Sequence, residues 1–177
     1  MRLLHVADRL SDRGGAWVWT LGVLEGLARD HDVRLVAGLD EGTVRPPCPV
    51  DLRPGLESRT EAPVDLDDLA DGFAPDVVHV HNVTNPAVLE WAARRPAAVL
   101  TVQDHRFFCP TRGKWTLAGE PCRRPMTREA CAACFEDGAY FDAAWSLTQS
   151  RLAAVRRLRL VTLSEYMRRE LRAAGCD

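Results

Sequence analysis

The sequence predicts an α/β domain of the Rossmann-like, doubly wound type: a mainly parallel sheet with helices on both faces. Three observations predict it. Short apolar runs alternate along the chain with segments whose apolar residues fall at three-and-four spacing, as strand and helix in turn would. The runs are apolar on successive residues, as strands covered on both faces must be, and lack the alternation of a half-solvated antiparallel sheet. The chain has 177 residues, which at about 150 per domain makes one domain, its strands joined by right-handed crossovers.

The elements follow in order. Residues 3–7 form a first apolar strand, and residues 8–15 the polar loop that leaves it, ending in Gly14-Gly15. From 16 to 28, Trp17, Thr20, Leu21, Leu24 and Leu27 share a helical face, which the charged residues 29–32 end. Residues 33–37 are a second strand. The Pro-rich segment 45–49 precedes a short strand at Val50–Leu52, and 64–73 reads as a helix with acidic residues early in it. Pro75 introduces a strand that closes on His81-Asn82, and Pro86 suits the first turn of a helix reaching Arg95. Residues 97–102 are the next strand, running into Gln103-Asp104-His105. Beyond a cysteine-bearing stretch, 142–158 is helical and 160–163 a last strand. Ser164 caps a helix to Ala174, and Gly175 stops it.

Composition excludes several classes. Hydrophobic residues at 46% and charged residues at 27% are those of a globular chain and rule out disorder or a fibre. A net charge of −2 offers no global attraction for nucleic acid, and neither a recognition helix nor an aromatic RNA-binding signature is present. No stretch approaches about 18 uninterrupted apolar residues, and the opening residues become charged too soon for a secretory signal, so a soluble, cytoplasmic protein is expected. Arg151, Arg156, Arg157, Arg159, Arg168, Arg169 and Arg172 gather late. They suit either peripheral contact with anionic lipid or, since Glu165 and Glu170 interleave, a solvated helix face.

In doubly wound sheets ligands bind at the carboxyl ends of the strands, near the reversal of strand order. That selects the loops at 8–15, at 81–85 and from Asp104 onward. Gly14 and Gly15 before a helix let a phosphate approach backbone N–H groups, or serve a tight turn; the glycine fingerprint of dinucleotide sites is absent. His79 and His81 point to one face of their strand, a start for metal binding without an evident third ligand. The imidazole of His105, just past a strand, can donate to a sugar hydroxyl or shuttle a proton, or stand in its loop without a partner. Cys109, Cys122, Cys131 and Cys134 are spaced C-x12-C-x8-C-x2-C. The C-x2-C pair has the bite for tetrahedral zinc and the other two can close a structural site; an iron–sulfur cluster and unliganded thiols are the rivals.

Four segments taken in order resemble the amino-terminal half of a family-4-type, GT-B glycosyltransferase. They are the opening strand running to Arg13-Gly14-Gly15, residues 75–82, residues 100–105 leading to Cys109-Pro110, and residues 161–164 followed by Met167, Leu171 and Gly175. Some similar members carry a cysteine-rich insertion after the His-bearing loop, matching residues 106–136 here. The resemblance implies a single Rossmann-like domain over 1–177 that holds a sugar, lipid or small-molecule acceptor. A second such domain would bind a nucleotide-sugar, with transfer across the cleft proceeding with retention and needing no metal at the reacting centre. Gly14 and Gly15 would lie near the donor diphosphate, His105 would touch the transferred sugar as the catalytic contact, and His81, Asn82 and Asp104 would contact substrate. The chain stops where a linker to the donor domain would begin, so that domain is expected in cis or in trans and no turnover is expected without it. The alternative is a non-catalytic Rossmann-like binding or scaffold module stapled by a four-cysteine zinc site.

Overall fold

The computed structural model describes residues 1–111 and 113–176. Its six strands are β1 (Arg2–Leu10), β2 (Asp32–Asp40), β3 (Val50–Leu52), β4 (Val77–His81), β5 (Ala98–Val102) and β6 (Arg159–Thr162). All pair in parallel, in the order β3-β2-β1-β4-β5-β6. Strand order therefore reverses between β1 and β4, where register sets His5 opposite His79 and Ala7 opposite His81. The helices are α1 (Gly15–Leu27), α2 (Asp67–Phe73), α3 (Pro86–Ala93), α4 (Arg128–Ala132), α5 (Gly138–Val155) and α6 (Glu165–Ala173).

Two cores explain why the strands read as continuous apolar runs. On one face Leu3, Ala7, Val33, Leu35 and Ala37 meet Leu21, Leu24 and Leu27 of α1. On the other, Leu4, Val6, Val36, Val78, Val80, Leu100 and Val102 meet apolar residues of α2, α3, α5 and α6. Successive residues of a strand point to opposite faces, so a strand buried on both must be apolar throughout. The predicted doubly wound α/β class is the one observed.

Several boundaries differ from the sequence reading. β1 runs on past Ala7 through the polar Asp8 and Arg9, because β2 continues beside it as far as the Leu10–Asp40 pair. α5 starts before residue 142, where the Asp137 side chain accepts hydrogen bonds from the N–H groups of Ala139 and Tyr140. Helix α2 begins three residues later than expected, at Asp67. Pro86 starts α3 as expected, and Asn85, which the sequence reading leaves in the preceding loop, is its N-cap. Asn85 accepts from the Ala87 N–H and donates from Nδ2 to the carbonyls of Gly55 and Ala62, tying the 53–62 segment to the end of β4. Ser164 caps α6 through the Met167 N–H.

Candidate functional site

At the switch point the ends of β1, β4 and β5 are joined by one polar network. Asp8 of β1 accepts a hydrogen bond from Trp17 Nε1 of α1 at 2.8 Å and one from Asn82 Nδ2 at 3.2 Å. The Asn82 Oδ1 accepts from Arg106 Nη2 at 2.7 Å, and Arg106 Nε donates to Asp104 at 2.5 Å. Burial raises the pKa of Asp8, against the pull of the Trp17 hydrogen bond, Arg9, Asn82 and Arg106. Asn82 has φ 54°, a left-handed conformation that asparagine accepts more readily than most residues. Gln103 donates to the Ala16 carbonyl, linking the end of β5 to the first turn of α1.

Gly14 is the N-cap of α1, with φ 119° and no side-chain cap on the helix. A Cβ there would lie 2.8 Å from the Trp17 ring, whereas one on Gly15 would meet nothing within 4 Å. The structure thus demands glycine at 14 and merely accepts it at 15.

His105 opens a one-turn 3₁₀ helix (His105–Phe107) whose N-cap Asp104 accepts from the Arg106 N–H. It is half-buried, its Nε2 lies 3.2 Å from the Tyr166 hydroxyl, and its ring packs edge-on to Phe108. Burial lowers its pKa, opposed by Asp104 and Glu170. The imidazole is therefore biased to the neutral form, which can accept a proton as well as donate one.

His81, expected on the acceptor side, is fully buried, and so is His5. His5 is the third histidine that the β4 pair lacked in sequence: ligand atoms of His5, His79 and His81 all lie within 4.8 Å of one another. His5 Nδ1 and His81 Nε2 are 2.9 Å apart, His79 Nε2 is 2.7 Å from Thr101 Oγ1, and Trp19 packs against His79 and His81. Burial, then in His5 and His81 the neighbouring imidazoles, holds all three below the usual range, His5 at about 3 and His79 at about 4. His5 Nε2 and His81 Nδ1 are buried without a partner. Whichever ring donates in the His5–His81 contact, the other keeps an N–H with no acceptor.

Of the late arginines, Arg151 is buried. From α5 it donates to the carbonyls of Thr84 at 2.7 Å, Arg106 at 3.3 Å and Arg59. Burial, and then Arg106, lowers its pKa to about 10, which leaves it charged at neutral pH. One guanidinium so pins the loops after β4 and β5 to the 53–62 segment. Arg151→Met is expected to cost about 3 kcal/mol, since hydrogen bonds to a charged group contribute about 1.5–3 kcal/mol each and packing regains part of that. The check is the urea midpoint, and an unchanged midpoint would contradict this role. Arg156 holds the Ala174 carbonyl, while Arg157 and Arg168 pair with Glu90 and Glu165, so the basic cluster is partly spent inside the domain. No helix among the described residues is long and apolar enough to cross a membrane.

Cys109, Cys122, Cys131 and Cys134 are half-buried and line one cavity of about 20 Å³ with Phe108, Lys114 and Met126. Among the described residues the histidine trio meets the 4.8 Å ligand spacing and the four sulfurs, as placed, do not. Asp8, Trp17, Arg106 and Tyr166, to which the sequence assigns no site role, lie in no recognisable motif, and Arg151 reads there only as part of the late basic cluster. Asp8, at the head of the first loop, and Arg106, in the loop from Asp104 onward, carry a positional signal, and the others carry none.

No curated protein and no solved structure matches the chain. The model of the glycosyl transferase 4-like domain matches residues 14–177, from the glycine that caps α1 through the crevice loops to α6. With that match over nearly its whole length and a six-stranded parallel Rossmann-like sheet, the chain belongs to the glycosyl transferase 4-like domain family.

Proposed function

We propose that this glycosyltransferase domain is the acceptor-side half of a retaining enzyme that moves a sugar from a nucleotide-sugar to a sugar, lipid or small-molecule acceptor. A second Rossmann-like domain, in cis or in trans, holds the donor. The observation that carries the reading is the switch-point crevice. There a helix start without a side-chain cap, at Gly14, stands with the Asp8–Asn82–Arg106–Asp104 network and the neutral-leaning His105 at the carboxyl ends of β1, β4 and β5.

Each part has a chemical task. The first-turn N–H groups of α1 and the positive end of its dipole suit a departing diphosphate, whose charge grows as the glycosidic bond breaks. Gly15, where an added Cβ would meet nothing within 4 Å, leaves that approach open, while Gly14 lets the Trp17 ring close against the helix start. His105, steadied by Tyr166, donates to a hydroxyl of the transferred sugar, and Asp104 orients the turn that carries it. Asn82 and Arg106 hold the loops at fixed separation, so the domain contributes orientation more than covalent chemistry. His81 supports the crevice from beneath.

The test is sugar transfer by the chain combined with a donor-binding domain, followed by the appearance of free nucleoside diphosphate. His105→Ala is expected to lower kcat about 100-fold, the loss that a misplacement of about 1 Å at the reacting centre brings, with the fold unchanged by circular dichroism. Transfer at the parent rate would remove His105 from the reaction.

A further inference from the structure

We infer that Cys109, Cys122, Cys131 and Cys134 bind one zinc ion, and that this ion fixes the loop on which His105 stands. The segment lacks a core of its own: none of the residues of α4 is buried, and Trp115 and Leu117 are exposed. Its backbone nonetheless gathers the four cysteines. An antiparallel bridge between Trp115 and Pro121 folds a hairpin, and the Cys122 N–H donates to the Lys114 carbonyl at 2.6 Å. The Lys114 N–H donates to Cys109 Sγ at 3.3 Å, so this sulfur already accepts a bond of the kind that supports a metal thiolate. From the other side α4 delivers Cys131, and the turn closed by the Cys134 N–H and Cys131 carbonyl delivers Cys134.

The four side chains share a single cavity of about 20 Å³, and a site for one water-sized sphere takes roughly 10–15 Å³. One ion fits. Binding replaces four S–H bonds by four Zn–S bonds and releases four protons, giving a tetrahedral dianionic centre as the sulfurs close from their present separation to Zn–S distances of about 2.3 Å. Lys114, paired with Glu170 of α6 at 3.0 Å, places a positive charge beside it.

The link to the crevice is direct. The Cys109 N–H donates to the His105 carbonyl at 2.8 Å, and a Cβ on Gly113 would lie 3.6 Å from His105 Nδ1. Fixing Cys109 and the 113–114 turn therefore fixes His105 against Tyr166. This zinc site stands on the cysteines alone and can fail or hold independently of the sugar-transfer reading.

The test is metal content of the chain purified without an affinity tag, with cobalt substitution to report the ligands. One zinc per chain and thiolate-to-cobalt charge-transfer absorption are expected, both lost in Cys109→Ser and Cys131→Ser and both kept in Cys48→Ser. His105 ring resonances are expected to sharpen and shift when zinc is added to the metal-free chain. If the serine variants misfold, zinc release from the parent chain by titrating thiols with a mercurial, at four equivalents per ion, supplies the same answer. Absence of zinc, iron in its place, or zinc that survives Cys131→Ser but leaves with His79→Gln would overturn the proposal. Zinc binding with unmoved His105 resonances would overturn its second half.

Discussion

Lowering the pH from 7 to 5 is expected to remove roughly 6 kcal/mol of stability from this domain, enough to unfold it, with uptake of about three protons. The cause is the buried trio of His5, His79 and His81, held neutral by desolvation, with His5 at about 3 and His79 at about 4. In the unfolded chain each titrates near 6.5. A base whose pKa is depressed by folding contributes its stability in full above the unfolded value and loses it as pH falls toward the folded one, because the unfolded chain binds the extra proton in that window. Each group loses about 1.4 kcal/mol per pH unit, the three about 4, and the 1.5 units between 6.5 and 5 give the figure above. Whole domains have only about 5–15 kcal/mol. His105, half-buried and also lowered, acts in the same direction. The raised pKa of Asp8 acts in the opposite sense, as a single group. Urea midpoints followed by far-ultraviolet circular dichroism across this range are the measurement, and His79→Gln is expected to cut the slope by about a third. A midpoint constant between pH 7 and 5 would mean that the imidazoles are charged in the fold or open to water.

How much of this could be read beforehand follows from where each signal lies. Strands β1, β2, β4 and β5 are readable because burial on both faces leaves an unbroken apolar run, and α3 and α6 because Pro86 and Ser164 are local start signals. The continuation of β1 through Asp8 and Arg9 was not, since only the neighbouring β2 makes those polar residues strand. The histidine trio was half visible. His79 and His81 sit two apart in sequence, but His5 joins them through the β1–β4 register, a pairing across more than seventy residues. Arg151 read as one more member of a charged helix face, and its partners are three carbonyls that no side-chain pattern reveals. Glycine at 14 and at 15 looked equivalent, and only the backbone angle at the start of α1 tells them apart.

That distinction yields the second large effect: Gly14→Ala is expected to lower stability by about 3 kcal/mol, whereas Gly15→Ala is expected to leave it unchanged or slightly higher. Gly14 sits at φ 119° and ψ 148°, a region used almost only by glycine, where other residues cost of order 1–3 kcal/mol. A Cβ would also stand 2.8 Å from the Trp17 ring, so the indole must turn away. Its Nε1 then leaves Asp8, a buried carboxylate deprived of one of its two neutral donors, which adds about 1.5 kcal/mol or more. At Gly15 the added methyl meets nothing and replaces glycine by a better helix former at the first position of α1. Thermal unfolding separates the pair, and near-ultraviolet circular dichroism reports the Trp17 environment directly. The crevice is tied to the same contact: Asp8 anchors Asn82, and Asn82 anchors Arg106. Gly14→Ala is thus expected to loosen the loops after β4 and β5 and to weaken any ligand of the crevice, while Gly15→Ala keeps both the network and the opening at the start of α1. Equal behaviour of the two variants would detach the glycine pair from the site and reduce it to an ordinary strand-to-helix turn.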